Sequence, residues 1–311
     1  MNSASLDLLI IGHQGRLARA LRAAIEAYRP DLSYLSHGRD HLDITNRADS
    51  RRAIISLKPK IVINTAALTQ VDDAQNVQSQ AFDVNARGAA VVAQACREAG
   101  SALIHVSTDY VFNGQAGRPY VESDMTAPLN VYGRTKCFGE RLVHRFLPEA
   151  TVLRTAWLFD AWDEAFFSNV LTAMHKTGRV RGAKDQLGSP TYLPGFSQAL
   201  LELGSSVLDG TKLPPLLHLA GAGQASRYDV VEQMASVYRE QTGARVEVEM
   251  ASIHDWPNAA NRPADSRLDC TLAESFTGVN HLVAWEDGVE RAVRAVLSNS
   301  PNSDATPKGA K

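Results

Sequence analysis

Apolar and polar positions along this chain follow two periods in turn. Short apolar runs fall at 6–12 (LeuAspLeuLeuIleIleGly), 32–36, 60–64, 102–106 and 151–155. Runs of about four to eight residues bounded by turn formers read as buried strands, whereas apolar residues three and four apart mark one face of a helix. Helical spacing follows the first run from His13 to Ile25 and recurs at 47–57 and 77–99, where Val77, Ala81, Val84, Val91, Ala95 and Ala99 share a face. Cys96 falls in that last helix and is expected in the core rather than as a nucleophile. Strands alternating with helices predict a parallel sheet covered on both faces. Beyond 151–155, helices are expected at 166–176, 196–207 and 228–242 between short apolar pieces, as in a smaller α/β lobe. From 298 to 311 large apolar residues almost vanish, which predicts a frayed tail.

Composition narrows the partners. With 32 Lys and Arg against 34 Asp and Glu, the net charge of -2 gives no electrostatic case for nucleic acid or anionic lipid, so an anionic ligand must be held locally. No membrane span is needed to explain the hydropathy. The three cysteines, Cys96, Cys137 and Cys270, are scattered and lack metal-ligand spacing. Reduced thiols are expected, with no disulfide and no metal site. The first five residues carry no basic side chain, and the apolar run at 8–11 is too short for a signal peptide, so a cytoplasmic protein is expected.

The turn between the first strand and helix reads Gly12-x-x-Gly15-x-x-Ala18. Glycine lets the backbone approach a pyrophosphate while the helix N-terminus faces its charge. Plain turn chemistry is the competing reading of two glycines before a helix. A dinucleotide site normally has an acid at the end of the second strand, to accept the adenosine ribose hydroxyls. This chain has Ser36, His37, Gly38 and Arg39 there, which suits a 2'-phosphate and favours NADPH over NADH; a solvated surface charge is the other reading of Arg39. Asp43 with Ile44 suits an adenine amino group, and AspIleThr is equally an ordinary helix start. AsnThrAlaAla at 64–67, including Ala66 and Ala67, ends the next strand with small residues beside which a cofactor fits, and Thr69 follows within reach of substrate.

A proton-transfer set lies downstream. Reduction of a ketone requires a hydride and a proton for the carbonyl oxygen. A phenol supplies that proton once its pKa, ordinarily about 10, is tuned, and a nearby ammonium favours the phenolate. Tyr132 and Lys136 stand four apart on a predicted helix, one turn from each other on the same face. Thr108, beside Ser107 at a strand end, is placed to orient the carbonyl. Asp109 is followed by Tyr110 instead of a second acid, which disfavours elimination of water as in the related dehydratases.

ValSerThrAspTyrValPheAsnGly (106–114), ProLeuAsnValTyrGlyArgThrLys (128–136), LeuArgThrAlaTrp (153–157), AspGlnLeuGlySerProThr (185–191), HisLeuAlaGly (218–221) and ArgProAlaAspSer (262–266) stand in one order. In this the chain resembles the dTDP-4-dehydrorhamnose reductases, extended short-chain dehydrogenases, over about residues 6–297. The resemblance implies a Rossmann-type doubly wound parallel sheet at 1–156 and a smaller C-terminal α/β substrate lobe at 157–297, partly interleaved with it. It implies that Thr108, Tyr132 and Lys136 are catalytic. Gly15, Arg16, Leu17, Asp43, Ile44, Ala67, Leu68 and Thr69 would touch the dinucleotide, as would Tyr132 and Lys136, the last binding the nicotinamide ribose. Asp109, Tyr110 and Trp157 would hold the sugar, Gln186 would lie in a loop lining the cleft, and Arg262 would neutralise a substrate phosphate. A structural loop and a surface arginine are the plain readings of the last two.

The implied reaction is NADPH-dependent reduction of the 4-keto group of dTDP-6-deoxy-L-lyxo-4-hexulose to dTDP-L-rhamnose, by a monomer or homodimer. Another 4-keto-6-deoxy sugar nucleotide is the runner-up substrate. A non-catalytic NADP-binding subunit, resembling the methionine adenosyltransferase beta subunit, is the nonenzymatic alternative. Two departures stand out: Glu164, Ala165 and Phe166 occupy the place of a frequent AsnAsnPhe, and Ala20 stands where some bacterial members carry a magnesium-linked glutamate.

Overall fold

A computed structural model describes residues 6–163, 166–256, 260–276 and 282–298. The expected tail beyond 298, the first five residues and the departure at Glu164 and Ala165 lie outside the described residues. In chain order the first half runs β1 (Leu8–Ile11), α1 (Arg16–Tyr28), β2 (Tyr34–His37), α2 (Arg47–Leu57), β3 (Ile61–Asn64), α3 (Val71–Asn76), α4 (Gln78–Phe82), a π-helical segment (Asp83–Gly88), α5 (Ala89–Ala99), β4 (Ala102–Thr108), α6 (Val131–Phe146) and β5 (Thr151–Thr155). The second half adds β6 (Leu158–Phe159), α7 (Phe166–Thr177), β7 (Arg179–Ala183), β8 (Leu187–Gly188), β9 (Thr191–Tyr192), α8 (Leu193–Leu208), β10 (Leu216–His218), β11 (Ala225–Ser226), α9 (Arg227–Thr242), β12 (Glu247–Ala251), α10 (Thr271–Glu274) and α11 (Trp285–Ser298).

Six strands pair in parallel in the order β10-β5-β4-β3-β1-β2. The pleat sends successive side chains to opposite faces, so a sheet covered on both sides needs continuous apolar strands. All four residues of β1 are buried. Leu8 and Ile10 pack with Ile61, Ile63 and Leu153 against α1 and α8, whereas Leu9 and Ile11 pack with Val62 and Val152 against α2, α5 and α6. From β1 the sheet grows one way to β2 and from β3 the other way to β4, β5 and β10. That reversal leaves a crevice beyond the carboxyl ends of β1 and β3, where such sheets bind ligands.

The second half contributes to both bodies of core. Strand β10 closes the large sheet beside β5, and α8 packs on α1. A separate cluster joins Phe167, Leu171 and Met174 of α7 with Val230, Val231 and Met234 of α9 and Val289, Ala292 and Val293 of α11. No helix among the described residues is long and apolar enough to cross a membrane.

Two elements differ from the pattern-based expectation. The strand expected at 32–36 runs at Tyr34–His37. The single helix expected at 77–99 is broken: Val77 ends α3 and is exposed, and the π-helical segment separates α4 from α5. A wider turn adds a residue and rotates the buried face by about 100°. Of the expected face, Ala81, Val84 and Ala95 are buried, Val77 and Val91 are not, and α5 adds Ala89, Ala90, Val92, Ala93 and Cys96 to the buried side.

Candidate active site

The crevice begins at the glycine turn. Gly12 has φ +108°, and a Cβ there would lie 2.6 Å from Thr65 Oγ1 and 3.0 Å from Ala66 N, so only glycine allows β1 and β3 to approach this closely. Gly15 caps α1 without a side-chain hydrogen bond, and the first turn of α1 holds no acid. Its amide groups and dipole therefore face the crevice uncontested. A cavity of about 380 Å³ opens there, lined by Gly12, Gly15, Arg39, Asp43, Ile44, Ala66 and Ala67 among others.

Arg39 is exposed on the rim and makes no ion pair among the described residues. Asp43 is less free. Its Oδ1 accepts from Thr45 N at 2.9 Å and Thr45 Oγ1 at 2.7 Å, a local turn. The cap of α2 is Asn46, whose side chain accepts from Ala48 N and Asp49 N. If Arg39 pairs with a 2'-phosphate, Arg39→Ala should weaken NADPH binding about tenfold while leaving NADH unchanged, since a charged hydrogen bond is worth about 1.5–3 kcal/mol. Titration with both dinucleotides measures the ratio; an unaltered preference removes Arg39 from cofactor selection.

A second cavity of about 280 Å³ continues the first, sharing Gly15, Thr65 and Ala67 with it. Arg16, Leu17, Thr69, Thr108, Asp109, Tyr132, Lys136 and Trp157 line it, so the structure brings the glycine turn and the proton-transfer set to one trough. Two buried polar atoms of residues on its wall, Thr155 Oγ1 and Trp157 Nε1, have no hydrogen-bond partner among the described residues. With the glycine cradle and the uncontested helix N-terminus, these features fit a dinucleotide followed by a polar substrate.

Helix α6 presents Tyr132 and Lys136 because Asn130 caps it, accepting from Gly133 N at 2.8 Å while its amide donates to Asn261 O at 2.7 Å. Tyr110 lies edge-on to Tyr132 with ring centroids 5.9 Å apart. Burial pushes the Tyr132 phenol above its ordinary range, the Thr108 hydrogen bond opposes this, and the charges of Asp109 and Tyr110 add to the rise. Lys136 is turned to the sheet, donating to Val106 O at 2.7 Å, and burial brings its ammonium down to about 8 against the opposing charge of Glu140. Burial also raises Asp109 to about 6, although Ser266 and Thr108 hydrogen-bond it. Ser266 Oγ donates to Asp109 Oδ2 at 2.6 Å, and Thr108 Oγ1 donates to Oδ1 at 3.0 Å.

Four expected residues stand behind the wall. Leu68 offers its backbone to Asn85, whose Oδ1 accepts from Leu68 N at 2.8 Å and whose Nδ2 donates to Leu68 O at 3.1 Å. Tyr110 is buried behind Tyr132. Gln186 is buried and offers its carbonyl to Arg227 N. Arg262 is bound through both terminal nitrogens to Asp72, at 2.6 and 3.2 Å, so its charge is already neutralised.

Sequence reasoning missed three features. Asn85, in the π-helical segment, ties the 65–69 loop to Thr135 of α6 at 3.0 Å, and a Cβ on Gly139 would collide with its carbonyl. Gly139 on α6 was the available signal. Arg227 stacks 3.5 Å over the Trp157 ring and 4.7 Å over Phe166. Trp157 has φ +44°, a left-handed conformation that costs roughly 1–3 kcal/mol in a non-glycine residue and needs such support. The third is a buried network beneath the Ser107–Thr108 end of β4, in which Glu140 accepts from Ser107 Oγ at 2.5 Å and from Arg154 at 2.7 and 3.0 Å.

The chain matches known proteins over most of its length. The family model for the RmlD substrate binding domain matches residues 6–298. A dTDP-4-dehydrorhamnose reductase from Sinorhizobium fredii is 36% identical over 294 residues, covering 94% of this chain and 98% of that protein. A probable dTDP-4,6-dihydroxy-2-methyloxan-3-one 4-ketoreductase from Streptomyces antibioticus is 34% identical, covering 93% of this chain and 95% of that one. Among solved structures, a dTDP-4-dehydrorhamnose reductase from Bacillus anthracis in complex with NADP superposes with a TM-score of 0.81 at 28% identity, over 94% of this chain and 100% of that one.

Proposed function

The chain belongs to the family of dTDP-4-dehydrorhamnose reductases, and from that premise we propose that it reduces the 4-keto group of dTDP-4-dehydro-6-deoxy-L-mannose to give dTDP-L-rhamnose, using NADPH. The observation that carries this reading is the single trough that joins the glycine turn to Thr108, Tyr132 and Lys136. Residues 1–156 are assigned to the cofactor and 157–297 to enclosing the sugar. The three free cysteines suit a reducing cytoplasm, where the sugar nucleotide would be met.

Gly12, Gly15 and Leu17 would hold the pyrophosphate and Arg39 the 2'-phosphate, with Arg16 beside them, its guanidinium paired to Asp160 and Asp163 at 3.6 and 3.3 Å. NADPH bound in this trough supplies the hydride. Thr108 orients the ketone oxygen through its hydroxyl, which also touches Asp109. Tyr132, kept protonated by its burial, donates its proton to that oxygen as negative charge develops there. Lys136, one turn along α6, supplies positive charge behind the phenolate that remains. Trp157, backed by Arg227, offers a flat face to the sugar.

A sibling 4-keto sugar nucleotide is the second reading, favoured by the likeness to the Streptomyces antibioticus ketoreductase. NADPH oxidation measured across a panel of 4-keto-6-deoxy dTDP and GDP sugars separates the readings. The dTDP-4-dehydrorhamnose substrate is expected to give the highest kcat/KM. A higher value for another sugar would reassign the substrate, and no oxidation with any of them would favour the regulatory-subunit alternative.

A further inference from the structure

Lys136 is more constrained than a place one turn from Tyr132 requires. Its Nζ lies 3.3 Å from Nε2 of His105, a fully buried residue of β4. The other ring nitrogen, Nδ1, lies 3.1 Å from Asn64 Nδ2 at the end of β3. Asn64 takes its orientation from a third group, because Ala66 N donates to its Oδ1 at 3.1 Å. The face turned to His105 is therefore the amide NH2, which can only donate. Nδ1 must accept. Burial holds His105 neutral, well below the usual histidine range, and the charges of Lys136 and His144 act the same way. A neutral imidazole with Nδ1 as acceptor carries its one proton on Nε2, directed at Lys136.

An ammonium has three donors and no acceptor, so it would meet the His105 N–H donor to donor. The free amine satisfies both neighbours. It accepts from His105 and donates to Val106 O, 2.7 Å away. We propose that Asn64 and His105 form a tuning pair for Lys136: the tautomer set by Asn64 weakens its hold on a proton in the unliganded protein, so that amine and ammonium coexist, and the negative charge of a bound dinucleotide completes protonation. Up to one proton is then taken up from solvent and none is released by the pair.

His105 acts here through Lys136 and is a positioning residue. The inference rests on the reductase reading for the use made of Lys136. The other groups facing Lys136 have defined charges of their own. Glu140, one turn further along α6, favours the ammonium but is bound by Arg154 of β5 and by Ser107. Tyr132, one turn back, is kept protonated by burial.

Two measurements test the pair. Long-range 1H–15N spectra of the unliganded protein report the His105 tautomer, assigned by the signals lost in His105→Gln. The Nε2–H form is expected, and the Nδ1–H form would overturn the proposal. The second is calorimetric titration with NADPH near pH 8 in buffers of differing ionisation enthalpy, which counts protons taken up, since Lys136 titrates at about 8. In Asn64→Asp the carboxylate accepts from Nδ1 and turns Nε2 into an acceptor; in His105→Gln the amide oxygen can face Nζ. Both variants should take up roughly half as many protons as the native protein, or fewer. Uptake equal to native in both would overturn the proposal. Failure of the native protein to bind NADPH would count against the reductase reading instead, and the tautomer would then decide this proposal alone.

Discussion

Tyr132→Phe should lower kcat by about 10²- to 10⁴-fold, the usual contribution of a positioned general acid, with NADPH binding within about twofold of native, since no cofactor contact assigned to the glycine turn is touched. The size of the effect follows from the placing of the phenol. Tyr110 packs edge-on against the ring and Thr108 hydrogen-bonds the hydroxyl, which fix the proton donor on the wall of the trough, where phenylalanine has no proton to give. The alternative donor on the wall, Asp109, titrates at about 6 and is already bound by Ser266 and Thr108. Single-turnover rates with saturating NADPH measure the effect. A variant within about threefold of native would remove Tyr132 as proton donor.

Arg154→Met carries the largest expected effect on stability. The Arg154 and Glu140 side chains are 4% and 7% exposed and share two hydrogen bonds. Arg154 also lies 5.0 Å over the Phe112 ring and 3.3 Å from His218 Nε2. Burial pushes His218 down to about 3 with the Arg154 charge acting the same way, so it stays neutral beside the guanidinium. Removing the arginine leaves Glu140 charged and buried, a change that costs about 3–5 kcal/mol. On the order of 10 °C should be lost from the melting temperature. Adding Glu140→Leu should recover most of that loss, because apolar replacement of a whole buried pair is often neutral. Thermal denaturation followed by circular dichroism measures both; a melting temperature within about 1 °C of native for Arg154→Met would show that the pair contributes little.

The parts of the fold that rest on local pattern were legible in the chain. Buried parallel strands favour apolar residues on both faces, so Leu8–Ile11 and Ile61–Asn64 announce themselves, whereas β5 shows only Val152 and Leu153 between polar residues, among them the buried Arg154. Gly12 declares the turn because a close backbone approach excludes a Cβ there, and Gly15 marks the start of the helix that follows. What was not legible depends on partners far away in sequence. Nothing near Arg262 foretells Asp72, and nothing near Trp157 foretells the guanidinium of Arg227 stacked on it. The π-helical segment disrupts the periodicity that would otherwise reveal it, and Asn85 is held there by contacts to the 65–69 loop and α6. His105 reads as an interruption in an apolar strand, and only the packed sheet shows that it bridges Asn64 and Lys136.

Transfer of label from NADPH carrying deuterium at both nicotinamide C4 positions to dTDP-4-dehydrorhamnose tests the central claim most directly, read by mass and NMR analysis of the product. The account predicts dTDP-L-rhamnose with deuterium at C4 of the sugar and one NADPH consumed for each product formed. NADPH that binds but transfers no deuterium to the sugar would contradict it.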